Sequence, residues 1–234
     1  DVQVQSDNTL GWAVRKNNPE LLKNLSGFVK QIKSGTLLGN ILFKRYLQDA
    51  RRIKNPLADS ERSRFREVVG IFSKYADKYE FDVLAVAAQA YQESKLDHDA
   101  RSHRGAVGIM QLLPSTAADP NVGIKNISKL ENNIHAGTKY LAFLRDRYFS
   151  DPQITAKNQL AFSWAAYNAG PANVRKMRNK AEKMGLDPNV WFGNVELAAA
   201  RTVGREPVQY VRNIFKYYIA YALVRDKLLG QTDG

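Results

Sequence analysis

From about residue 60 onward, apolar residues recur at intervals of three and four, the spacing that gathers them on one face of a helix. Phe65, Val68, Val69, Phe72 and Tyr75 or Ala76 form one stripe, and Val83, Leu84, Val86, Ala87, Ala90 and Tyr91 a second. Ile134, Thr138, Leu141 and Leu144 make a third, and Leu160, Trp164 and Tyr167 a fourth. Val211, Ile214, Phe215, Tyr218, Ala222 and Leu223 predict a long last helix. Strand-like alternation is scarce and no internal repeat is visible, so residues 58–234 read as a mainly α globule, a size that suits one domain.

Residues 1–57 follow another pattern. Leu10 to Val14 is a short strand-like run, and Asn18-Pro19-Glu20 opens a helix with proline in its first position. Leu21, Leu22, Leu25, Phe28, Val29 and Ile32 continue that helix until Ser34-Gly35-Thr36 stops it, and a second amphipathic stretch runs from about Leu37 to Ala50. One strand and two helices do not close a core alone. Asn55-Pro56, followed by Asp59-Ser60, marks a turn and a helix cap, which places the domain boundary near residue 57.

Composition narrows the chemistry. The 234 residues include no cysteine, which removes disulfides, thiolate catalysis and Cys-based zinc sites. His98, His103 and His135 fit no two-histidine ligand spacing on a helix, so neither a metal nor another cofactor is expected. No run of 18 apolar residues occurs, and the start, Asp1 to Gln5, has no signal-peptide pattern. The absence of an initiator Met suggests a trimmed product whose targeting information lies elsewhere. With 35 Lys+Arg against 23 Asp+Glu, the net charge of +12 calls for a polyanionic partner. Nucleic acid is disfavoured because no nucleic-acid motif accompanies the charge.

One carboxylate stands apart. A helix capped by Asp82 is apolar for most of its length and then carries Glu93 in its last turn, on the face shared with Val86, Gln89 and Ala90. Burial and the negative end of the helix dipole both raise a carboxyl pKa there, toward the range of a general acid. The alternative is a surface carboxylate paired with Lys95 or Lys74. Downstream, Gly105-Ala-Val-Gly108-Ile-Met110-Gln111 is glycine-punctuated without being a dinucleotide or phosphate loop, and Ala166-Tyr167-Asn168-Ala169-Gly170 ends a helix.

Taken in order, Glu93-Ser94, Gly105-x-x-Gly108-x-Met110-Gln111, Ala166-Tyr167-Asn168-Ala169-Gly170 and Tyr210-Val211 resemble the motif series of lytic transglycosylases with a goose-type-lysozyme-like catalytic domain. His98 stands where relatives often carry proline, and Glu206-Pro207 replaces the commoner Glu-Thr. The run from Trp12 to Leu22, followed by Ser34-Gly35-Thr36, resembles the closing stretch of periplasmic amino-acid-binding proteins. The two resemblances together imply a lysozyme-like helical domain preceded by the C-terminal remnant of a periplasmic-binding-protein-like α/β regulatory domain. They also imply a periplasmic protein, outer-membrane-associated in its full-length precursor. Its partners would be peptidoglycan strands, muropeptides and the inner surface of that membrane, with a monomer expected.

The resemblance implies cleavage of the β-1,4 bond between N-acetylmuramic acid and N-acetylglucosamine, with closure to a 1,6-anhydro end. Glu93 would be the single acid and then base. Ser94, Gln111, Tyr167, Asn168 and Tyr210 would hold the sugar, Gly108 and Met110 would shape the cleft wall, and Glu206 would anchor the cleft. Asp97 and Asp99 read as turn residues, and Tyr91, Trp164 and Trp191 as core aromatics. A hydrolytic muramidase and a peptidoglycan-binding module without catalysis are the rival readings.

Overall fold

The computed structural model describes residues 14–32, 35–36 and 59–229. The chain divides into two units, Asp1–Lys54 and Asn55–Gly234. The boundary expected near residue 57, the strand at Leu10 and the helix expected from Leu37 lie outside the described residues.

In the first unit, helix α1 (Pro19–Ile32) begins with proline at its first position, where no backbone N–H is needed. The Leu22 amide donates to the Asn18 carbonyl. At the other end, Thr36 Oγ1 donates to the Gln31 carbonyl at 2.7 Å, closing the turn that Gly35 permits with φ of 92°. Leu21, Leu22, Phe28 and Val29 of the stripe remain exposed.

The second unit is mainly helical, and its described residues hold no strand, only isolated bridges joining Arg101, Val107 and Leu112. Helix α2 (Asp59–Lys78) buries Phe65, Val68, Phe72, Tyr75 and Ala76, as its stripe predicts. Helix α3 (Val83–Ser94) is buried on every side from Leu84 to Tyr91, which makes it the central element. Its N-terminus is capped by Asp82, whose Oδ1 accepts from the Leu84 amide at 2.9 Å. A short helix α4 (Pro114–Ala118) leads to α5 (Leu130–Tyr148), α6 (Ala156–Ala169) and α7 (Pro171–Lys183). After an irregular turn at Trp191–Val195 come α8 (Glu196–Thr202), α9 (Glu206–Ala222) and α10 (Arg225–Leu229).

Helix α9 packs along α3, with Tyr217 edge-on to Tyr91 at 4.8 Å between ring centres. Helix α2 packs on α3, and α6 packs on α5, α7 and α9. Pro207 sits in the first turn of α9, where a missing N–H is harmless, so the Glu206-Pro207 pair is sterically suited to start this helix. Tyr91, Trp164 and Trp191 are buried in the main core. A smaller cluster of Leu112, Ala117, Val122, Ile127 and Ala136 lies under the 112–129 segment, and Tyr140 and Tyr167 pack against both clusters.

Candidate active site

Helix α3 ends abruptly one residue after Glu93. Lys95 and Leu96 both take left-handed backbone angles, with φ of 62° and 59°, and the Lys95 amide closes the last turn onto the Tyr91 carbonyl. This geometry turns the chain away and leaves Glu93 at the edge of the core. Neither ion pair considered for it forms. Lys74 pairs with Glu131 at 2.7 Å, and Lys95 Nζ donates to the Tyr91 carbonyl and lies over the Tyr91 and Tyr217 rings.

Glu93 lines a cleft of about 550 Å³ together with Ser102, His103, Arg104, Gln111, Tyr140, Tyr167, Asn168 and Glu206. A larger hollow of about 710 Å³, lined by Phe81, Trp164, Phe192 and Phe215, contains none of the motif residues. Chemistry rather than size therefore selects the smaller one. Within it the Glu93 carboxyl is pushed up to about 7, chiefly by burial, against the opposing pull of a hydrogen bond from Tyr210 and of the Lys95 charge. The Tyr210 hydroxyl donates to Glu93 Oε1 from α9. Burial first, and then the nearby Glu93 charge, hold the Tyr210 and Tyr167 hydroxyls well above the usual tyrosine range, so both stay neutral donors.

Several other motif residues bond to the Gly105–Gln111 loop, and some of them also line the cleft. Four consecutive carbonyls, from Val107 to Met110, each accept from a different side chain. Asn133 Nδ2 on α5 donates to Val107 at 2.9 Å, and Gln111 Nε2 donates to Gly108 at 2.9 Å. Ser94 Oγ at the end of α3 donates to Ile109 at 2.8 Å, and the Tyr167 hydroxyl on α6 donates to Met110 at 2.9 Å. Asn133 is fully buried and also accepts from the Met110 amide at 2.8 Å and donates to the Ile127 carbonyl at 3.0 Å.

Ser94 and Tyr210, expected to hold the sugar, and Gly108 and Met110, expected to shape the cleft wall, lie behind the cleft lining. Ser94 directs its proton at the Ile109 carbonyl and is absent from the cleft lining. Met110 is fully buried against Gly137 and forms no part of the cleft surface. Gly108 is buried with φ of 78°, and a Cβ there would lie 2.5 Å from Asn133 Cγ, so it fixes the loop from inside. Tyr210 reaches Glu93 from behind the lining. Glu93, Gln111, Tyr167, Asn168 and Glu206 do face the cleft. Asp97 accepts from the Asp99 amide in a local turn, as its polar surroundings suggest. Asn133, which sequence reading passes over, is the loop's main anchor. Among the described residues no cluster of His, Asp and Glu suits a metal ion.

The model of the transglycosylase SLT domain family matches residues 70–189, and the chain belongs to this family of lytic transglycosylases. Among its relatives, proteins named membrane-bound lytic murein transglycosylase F are similar over much of this chain. That of Desulfosudis oleivorans is 33% identical over 92% of this chain and 50% of its own length. That of Shewanella loihica is 31% identical over 88% and 46%. The chain thus spans about half the length of the curated relatives it matches.

Solved structures with a similar fold include an inactive mutant of lytic transglycosylase Slt from Pseudomonas aeruginosa. It has a TM-score of 0.52 and 23% identity, covering 88% of this chain and 30% of that one. The 70-kDa soluble lytic transglycosylase of Escherichia coli gives a TM-score of 0.53 and 23% identity, over 88% and 34%. These likenesses establish the lysozyme-like helical fold. Among the described residues no helix is long and apolar enough to cross a membrane.

Proposed function

We propose that this chain cleaves peptidoglycan strands without water, breaking the β-1,4 bond after N-acetylmuramic acid and leaving a 1,6-anhydro end. The observation that carries the reading is the Glu93 carboxyl: it lines the cleft, its pKa is raised to about 7, and Tyr210 donates to one of its two oxygens. With Oε1 occupied as an acceptor, the proton belongs on Oε2. Such a group is half protonated near neutral pH and can both give and take a proton.

In the first step the Oε2 proton passes to the glycosidic oxygen as its bond to C1 breaks, and the substrate's own 2-acetamido oxygen bonds to C1. In the second, the muramoyl 6-hydroxyl oxygen attacks C1, displacing the acetamido oxygen, and its proton returns to Glu93. The carboxylate formed between the two steps is stabilised by Tyr210. Gln111, Tyr167, Asn168 and Glu206 would contact the strand. Ser94, Gly108, Met110 and Asn133 act one layer behind by fixing the loop that carries Gln111. The positive charge of the chain favours encounter with the carboxylates of stem peptides and with anionic lipid head groups.

Mass spectrometry of the products released from purified glycan strands tests the reading. The expected muropeptides are lighter by one water than hydrolytic ones, and Glu93→Gln abolishes their release while strand binding persists. Products with reducing ends would replace the proposal with a muramidase. Undiminished release by Glu93→Gln would remove Glu93 from the mechanism.

A further inference from the structure

Gln89 lies one helical turn before Glu93 on the same face of α3 and is fully buried. Neither its amide nitrogen nor its amide oxygen reaches hydrogen-bond geometry with any described group. Leaving a buried amide unmet costs about 1 to 3 kcal/mol, whereas an apolar side chain of the same shape carries no such penalty. Its neighbours Ala85, Val86, Ala88 and Ala90 are all apolar, so packing alone gives no reason for an amide here.

Helix α9 packs along α3 and brings the Tyr210 hydroxyl near the Gln89 amide, which favours the ionised form of that hydroxyl. Tyr210 directs its only proton at Glu93, so toward Gln89 it can act only as an acceptor. That orients the Gln89 amide with Nε2 toward Tyr210.

We infer that Gln89 is a positioning residue for Glu93, acting through Tyr210: its amide donates to the Tyr210 oxygen as the Tyr210 proton is drawn toward the Glu93 carboxylate. The inference rests on the assignment of Glu93 as acid and base. A hydroxyl that accepts one hydrogen bond donates a stronger one, so the chain from Gln89 to Tyr210 to Glu93 strengthens as Glu93 loses its proton. Other groups around Glu93 are Lys95 on the same segment, Tyr167 on α6, and His103, Arg104 and Glu206 along the cleft.

The test compares Gln89→Met, Tyr210→Phe and the double variant by their pH profiles on purified strands. Gln89→Met keeps the shape and removes the amide, so thermal stability should hold or rise. Turnover should fall about tenfold with KM little changed, and the alkaline limb of kcat/KM should move to higher pH because the carboxylate is less stabilised. In the Tyr210→Phe background, Gln89→Met should add no further movement. An unmoved limb, or an equal movement without the Tyr210 hydroxyl, overturns the inference.

Should Gln89→Met fail to fold, the native Gln89 side chain can be followed directly. The side-chain 15N resonance of Gln89 should titrate with the Glu93 midpoint and lose that response in Tyr210→Phe, and a response that survives there overturns the inference. This linkage can be read whether the released products are anhydro or reducing, so its failure is distinct from failure of the proposed reaction.

Discussion

The amide of Asn133 occupies the place that a side chain at position 108 would take, with Cγ 2.5 Å and Oδ1 2.7 Å from an ideal Cβ on Gly108. The glycine is thus required twice, by this contact and by its positive φ of 78°. Gly108→Ala should destabilise the protein by about 3 kcal/mol or more, from overpacking and backbone strain together. Asn133→Ala, which relieves the crowding but leaves the Met110 amide and the Ile127 carbonyl without its side chain, should cost a similar amount. Denaturant unfolding measures both, and a loss below about 1 kcal/mol in either would contradict the described packing.

Glu93 links stability to pH. Its folded pKa of about 7 lies above its ordinary value of 4.5, so the folded state binds the proton more tightly than the unfolded state. The stabilisation is fully present below pH 4.5 and is lost as pH rises through 7. The difference amounts to about 3 kcal/mol. Glu93→Gln, which cannot ionise, should therefore melt higher than the parent at pH 8 and close to it at pH 4. Equal melting temperatures at both pH values would place the carboxyl in a more hydrated setting.

Glu206 is the other carboxylate along the cleft, at the start of α9. A hydrolytic mechanism would employ it to activate water. In the proposed reaction it contacts the strand, so Glu206→Gln should raise KM and slow turnover by no more than about tenfold, which is about 1.4 kcal/mol. Its products should remain anhydro. Complete loss of release comparable to that of Glu93→Gln would mark a two-carboxylate mechanism.

Asp82 serves the fold from the far end of α3. One oxygen caps the helix, and the other accepts from Tyr218 at 3.1 Å and faces Arg225 at 3.5 Å. Asp82→Ala should lower stability by about 1 to 2 kcal/mol, as read from thermal or denaturant unfolding, with the products unchanged.

In the proposed function the excess of positive charge acts on encounter. Release of muropeptides from sacculi should weaken as ionic strength rises, since long-range attraction is screened beyond about 8 Å at physiological salt. Activity that stays flat across ionic strength would dissociate the charge from substrate capture.

The helices of the second unit were legible because their stripes have the period of a helix and their partners are one another. Phe65, Phe72, Leu84, Ile134 and Leu141 are all fully buried as their spacing demands. The motif order likewise brought Glu93, the Gly105–Gln111 loop and Tyr167 to one place. What each polar atom does was not legible. Asn132 and Asn133 are adjacent and chemically identical, yet Asn132 Nδ2 donates to the Lys125 carbonyl near the surface while Asn133 is fully buried under the loop. Only the helix phase separates them. Similarly, the sequence offers Lys74 and Lys95 equally to Glu93, and packing alone gives Lys74 to Glu131, 57 residues away. Helix periodicity puts Gln89 on the Glu93 face, but it does not say that the amide there is buried and unmet.

The row of carbonyls from Val107 to Met110 has a mechanical meaning. Three of its four side-chain donors belong to separate helices, α3, α5 and α6, and the fourth is Gln111 itself. A load placed on this loop is therefore shared among the three helices. The segment from Val107 to Met110 is thus braced from three sides, and displacing it means giving up hydrogen bonds to all three helices.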